Sequence, residues 1–269
     1  MVVDMKGSVK IALIIVGVIV ILGLIFAAVY FNKLQTQDYK LNETNEENAS
    51  EQILEELPEE YPLTQAIKDG CLVMGNSVYN MDSLNEFVEN TRADNPNRQS
   101  DFLRIVMYTI EGDPVITELE YEKNVGYTLR TDNTRDAYGA DPKVTVSSDI
   151  PSDIYTVELQ EDGQAVNIVL QPKEGVSSEK YGPITIDGYS KEATIYGTAP
   201  TFEGEVTEVN DKSIVVKTDD QNLGDAVSVE VENAADYKVG DRVKVTYTGT
   251  VLETYPAQVY VVDVEKHQE

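Results

Sequence analysis

The hydrophobic pattern falls into one unbroken apolar block followed by many short runs. IALIIVGVIVILGLIFAAVYF, Ile11 to Phe31, holds 21 positions without a charge, and an α-helix of that length spans about 30 Å of hydrocarbon. The block exceeds the apolar core of about 7 to 15 residues found in cleavable signals. Ile25 and Phe26 also occupy the place where a cleavage site at Ala27 and Ala28 needs a small residue. An uncleaved transmembrane helix over 11–31 is predicted, with 1–10 as a cytoplasmic tail. Lys6 and Lys10 precede the block, while Lys33 and Lys40 give way to acids beyond it, so the positive-inside rule puts the bulk of the chain outside the cell.

Residues 32–60 are polar and acidic with few aromatics, too little apolar surface to offset the entropy of ordering. They are expected to form a disordered tether, with a transient helix from Ser50 to Leu57 whose Ile53, Leu54 and Leu57 share a face.

From Tyr61 the period first reads 3.6. YPLTQAIKDG puts Pro62 at a helix start and Gly70 at a C-terminal cap, and NMDSLNEFVEN offers Asn80 as N-cap to a second helix running to about Thr91. The period then changes to two. Ile105 to Ile110, Val115 to Glu122 and Val125 to Arg130 alternate as three strands of a meander, with Glu118, Glu120 and Glu122 toward water. Val144 to Ser148, Ile154 to Gln160 and Ala165 to Gln171 extend that sheet, with Asp162-Gly163 as a turn. Residues 61–200 are therefore expected to be an α+β extracytoplasmic domain of two short helices and an antiparallel sheet.

TIEGDPVITELEY, Thr109 to Tyr121, carries the candidate chemistry. Gly112 supplies a positive φ and Pro114 cannot donate to a ladder, so a structural turn accounts for Glu-Gly-Asp-Pro. Equal strand lengths also bring the end of the third strand to the same edge. Glu111, Asp113, Asp132 and Asp136 are thus a candidate hard-oxygen site, with calcium as the cation that chemistry favours. Glu111 and Asp113 are alternatively an acid/base pair for a carboxylate-dependent envelope hydrolase. No EF-hand ladder of acids is present in the spacing.

YPLTQAIKDG, NMDSLNEF, RIVMYTIEGDPVITELEY and DNTRDAYG together resemble the bacterial domain of unknown function family 4362, over about Tyr61 to Gly139. The resemblance implies a Gram-positive envelope protein and assigns no activity. Lipoprotein members carry a lipidation cysteine; here Cys71 lies far beyond the apolar block.

From Thr201 the pattern is all strand: FEGEVTEV, SIVVK, AVSVEV, RVKVTYT and QVYVVDV, with a helical turn at Ala234 to Tyr237. Five short strands predict a small OB-like β-barrel over 201–264. GEVTEVNDKSIVVK, YKVGDRVKVTYTGTV and ETYPAQ resemble the small secreted β-domain of unknown function family 3221, over most of 202–264.

Charge and rare residues narrow the function. The net charge is -27, and 61–200 and 201–264 are each acidic, which repels phosphate backbones and excludes nucleic acid as a partner. One cysteine allows no intramolecular disulfide. His267, the only histidine, lies near the end of the chain, so imidazole triads and His-based zinc sites are excluded. The sequence points to a membrane-anchored extracytoplasmic protein without an enzymatic residue set or a required cofactor. It is expected to be a binding or structural module whose partner is an envelope protein or polymer.

Overall fold

The computed structural model describes residues 54–177 and 179–267, which fall within one compact unit, Asn48–Glu269. The expected transmembrane helix, cytoplasmic tail and first part of the tether lie outside these residues. Among the described residues no helix is long and apolar enough to cross a membrane.

The tether's end, in contrast, is packed. Leu54–Glu56 form a 3-10 turn, and Leu54, Leu57 and Tyr61 are buried. Arg135 fixes this strap by donating from Nη2 to Leu57 O at 3.0 Å and from Nε to Pro58 O at 3.2 Å. The expected helix from Ser50 is corrected accordingly over its described part: the apolar side chains are spent on the core, and an arginine takes the carbonyls.

Helix α1 (Leu63–Lys68) follows Pro62 and ends before Gly70, whose φ is +77°. Two short strands that the sequence pattern does not predict come next, β1 (Leu72–Met74) and β2 (Ser77–Tyr79). Helix α2 (Met81–Thr91) buries Met81, Leu84 and Phe87. Asn80 precedes it without capping it, because its backbone is left-handed (φ 57°), a conformation asparagine tolerates. Its Nδ2 instead donates to Ile67 O and Cys71 O at 3.0 and 2.9 Å, closing the end of α1.

The meander is β3 (Asp101–Tyr108), β4 (Pro114–Glu122), β5 (Gly126–Asp132) and β6 (Val144–Pro151). With β1, β2 and the short β10 (Thr194–Ile195) it forms a seven-stranded sheet ordered β10-β2-β1-β3-β4-β5-β6. Contrary to the expectation from sequence, strands β7 (Tyr155–Asp162) and β8 (Ala165–Pro172) do not extend it. They pair with β9 (Ile184–Ser190) in a second sheet, and its Val157, Ile168 and Leu170 pack with α2 against Leu103, Ile105 and Leu119. One-sided alternation is the reason: these strands have an apolar face to bury and find a better partner face-on than edge-on. The other face of the large sheet packs Val106 and Ile116 under the strap and α1.

Strands β11 (Thr201–Val209), β12 (Ser213–Lys217), β13 (Ala226–Glu230), β14 (Arg242–Leu252) and β15 (Ala257–Lys266) close into a barrel ordered β11-β12-β13-β15-β14. Phe202, Val206, Ile214, Val227 and Val245 fill it. Gly204 is required where β11 crosses β12, since a Cβ there meets the Lys217 carbonyl and Val216. The barrel also touches the rest of the unit: Tyr79 donates its hydroxyl to Thr248 O at 2.8 Å, and Lys68 pairs with Asp263 at 2.8 Å.

The fold class is thereby corrected. Two α-helices of 6 and 11 residues stand against fifteen strands among the described residues, so the protein is mostly β rather than α+β. The closed five-stranded barrel is present.

Candidate functional site

The Glu-Gly-Asp-Pro hairpin is a turn held by its own backbone. Thr109 N donates to Asp113 O at 2.9 Å, Gly112 N to Thr109 O at 3.0 Å, and Gly112 has φ +97°. Pro114 opens β4 opposite Tyr108. Ile110 at the tip is fully exposed, and Glu111 beside it is exposed.

The candidate acids are divided among separate duties. Asp113 does reach the loop after β5, as equal strand lengths require: its Oδ2 accepts from Ala137 N at 2.9 Å. Asp136 Oδ1 accepts from Tyr138 N at 3.0 Å. Asp132, only 3% exposed, turns to Thr134 and Arg135. Its Oδ1 accepts from Thr134 N and Oγ1 at 2.8 and 2.6 Å, and its Oδ2 is paired with the Arg135 guanidinium. Burial pushes the Asp132 carboxyl up, but the Thr134 bonds and Arg135 outweigh it and hold the group below its usual range. Among the described residues no group of three His, Cys, Asp or Glu side chains is placed to hold a metal ion.

A concave site lies elsewhere, in a place the sequence reading did not single out. Strand β1 pairs with β3 only where Leu72 to Met74 meet Ile105 to Met107, so the start of β3, Asp101 to Leu103, has β4 on one side and, among the described residues, no paired strand along its other edge. A groove of about 600 Å³ runs along this edge. Its walls are Asp69 to Cys71 beyond α1, Ser83 and Glu86 on α2, and Glu120 to Glu122 on β4. Phe102, half-buried, lies along it. Five carboxylates border it, those of Asp69, Glu86, Asp101, Glu120 and Glu122.

The base that lines the groove, Arg104, is already matched. Its Nε and Nη2 donate to Glu118 Oε1 at 3.1 and 2.7 Å, and the two residues are 3% and 4% exposed. The expectation that Glu118 faces water is corrected here: Arg104 on the neighbouring strand claims it. Counting outward from the Tyr108–Pro114 pair that closes the hairpin puts Arg104 opposite Glu118, so the sequence yields this pairing only once the register of the hairpin is known.

Behind the groove Tyr61 donates to Asp69 Oδ2 at 2.6 Å, and Gln65 Nε2 donates to Oδ1 at 2.6 Å. Both oxygens of Asp69 are thereby oriented. Cys71 is buried against the Tyr61 hydroxyl at 3.4 Å. Burial pushes its thiol up to about 11, against the lowering effect of Tyr61 and Arg104, so at neutral pH it stays protonated and is no nucleophile.

The comparisons with known proteins bear on this part of the chain. The family model described as Domain of unknown function (DUF4362) matches residues 68–166, from the end of α1 into β8. The match starts later and runs further than the resemblance over Tyr61 to Gly139, and it takes in the groove and the Glu-Gly-Asp-Pro hairpin together. No curated protein and no solved structure matches the chain.

Proposed function

We propose that this protein is a binding module of a Gram-positive cell envelope, held at the membrane by the uncharged run Ile11 to Phe31, and that it performs no catalysis. The groove beside β3 carries this reading: its volume of about 600 Å³ suits a ligand site, and its side chains supply recognition without reactivity. The thiol at its wall is protonated, its guanidinium is neutralised by Glu118, and no histidine borders it. Glu111 and Asp113 lie on a hairpin tip outside the groove, which argues against the hydrolase alternative. The resemblance of the 202–264 sequence to the secreted β-domain family 3221, read from its motifs alone, favours the same extracytoplasmic setting.

A photo-crosslinking amino acid at Ser100, on the groove's border, tests the reading in the full chain in its native membrane. Adducts expected at Ser100 should be missing from another exposed position, Glu158 on β7. Equal labelling at both sites would remove the groove as the binding surface. Digestion of intact protoplasts tests the orientation: an external protease should release a soluble fragment beginning before Leu54.

A further inference from the structure

We propose that β6 pairs edge to edge with β6 of a second copy of this chain, antiparallel and centred on Val146, so that the large sheet runs on from one copy into the next. This goes beyond the binding role of the groove and makes no use of it.

The backbone supplies the first argument. Strand β6 closes one end of the seven-stranded sheet, and among the described residues no strand pairs with its outer edge. Every residue from Val144 to Asp149 is exposed, Val146 at 57%, so both faces of the strand reach solvent. Asn133 N donates to Lys143 O at 3.3 Å, and antiparallel rungs alternate between hydrogen-bonded and non-hydrogen-bonded pairs. Thr145 and Ser147, opposite Thr131 and Leu129, therefore direct their main-chain groups toward β5, and Val144, Val146 and Ser148 direct theirs outward. Single edges are normally blunted by charge, proline or a bulge. Here those devices stand only at the flanks: Lys143 before the strand, and after the open run a register shift between Tyr127 and Leu129, Asp149 at φ 59°, and Pro151.

The side chains decide the occupant. Val-Thr-Val-Ser-Ser, residues 144–148, carries no charge in a chain whose net charge is -27, so two copies approach there with the least repulsion. A two-fold axis at Val146 sets that residue against its own counterpart, Val144 against Ser148 and Thr145 against Ser147, the self-matching pattern an isologous contact requires. Apolar and hydroxyl pairs of this kind stabilise antiparallel strands. The same register carries Lys143 of each copy toward Asp149 of the other. Lys143 already holds Asp141 at 2.5 Å, and an ammonium has donors for both carboxylates. The run offers no charge to a basic or acidic strand of another protein, whereas its order matches itself.

Cysteine cross-linking of the full chain in its native membrane tests the proposal, because the native Cys71 is buried and an introduced thiol reports alone. Val146→Cys should give a covalent dimer under mild copper(II) oxidation, since Cα atoms of a hydrogen-bonded pair lie about 5.5 Å apart, within disulfide reach. Val144→Cys and Ser148→Cys should each stay monomeric alone, being about 13 Å along the strand from their own counterparts, and should cross-link to each other when the two variants are co-expressed. Equal dimer from all three variants alone would overturn the register and show random collision. Val146→Cys that links only to other proteins would give the edge to a different occupant and remove the proposal. In detergent the full chain should show a monomer–dimer equilibrium that tightens as sodium chloride screens the acidic surfaces. Val146→Lys should weaken it about tenfold by setting like charges opposite each other, with the melt of that variant used to confirm that it folds. A dimer unchanged in Val146→Lys would place the contact elsewhere and overturn the assignment.

Discussion

Arg104 on β3 stands directly opposite Glu118 on β4, its Nη2 2.7 Å from Oε1, with both side chains buried. A buried ion pair is weak evidence of net stability, because desolvation offsets the Coulomb attraction, yet breaking one half leaves an uncompensated charge. Glu118→Ala is therefore expected to cost about 3–5 kcal/mol in urea denaturation. The apolar double replacement Arg104→Met with Glu118→Leu should stay within about 1 kcal/mol of the wild type or exceed it. A double variant as unstable as Glu118→Ala would show that the pair contributes more than charge matching.

At the hairpin, Gly112 has φ +97° and open space where a Cβ would go. Gly112→Val should destabilise by about 1–3 kcal/mol through backbone strain alone, while Glu111→Gln leaves the melt unchanged because an exposed loop acid contributes little. Since Asp132 is bound to Arg135, millimolar calcium should raise the melting temperature no more than sodium at matched ionic strength does. A saturable calcium shift lost in Asp113→Asn would restore the cation site.

Acid should attack the strap through Asp132. Its folded-state carboxyl is held below the usual carboxylate range, so its contribution is complete above that range and is lost as pH falls through the depressed folded value. Asp132→Asn should consequently lower stability at neutral pH and flatten the acid limb of the stability curve below about pH 4. An acid limb identical in the variant and the wild type would place the acid sensitivity elsewhere.

The barrel has its own core around Val206, Val227 and Val245, separate from the two clusters on the large sheet. Residues 201–267 expressed alone should melt cooperatively, and Gly204→Ala should abolish or sharply weaken that transition because its Cβ meets a backbone carbonyl. A broad, non-cooperative melt of the isolated segment would mean that the Tyr79–Thr248 and Lys68–Asp263 contacts are needed for folding.

Periodicity by itself determined much of the fold. The change from 3.6 to two after Thr91 marked where helices give way to strands, and the five runs after Thr201 specified the barrel, because each run has one apolar face and only closure buries all five. The Glu-Gly-Asp-Pro turn was equally legible, since positive φ and a missing donor are properties of single residues. Tertiary structure decided what depends on neighbours distant in the chain. Leu72 to Met74 and Ser77 to Tyr79 are too short to show a period, and they become strands only because β3 offers an edge to the first and β1 and β10 flank the second. Glu118 looked like a solvent-facing acid until pairing put Arg104 against it, and Leu54 and Leu57 looked like tether until Arg135 took their carbonyls. The groove exists because β1 stops short of Asp101, a difference in strand length between two segments thirty residues apart, and no local pattern in either segment encodes the space left between them.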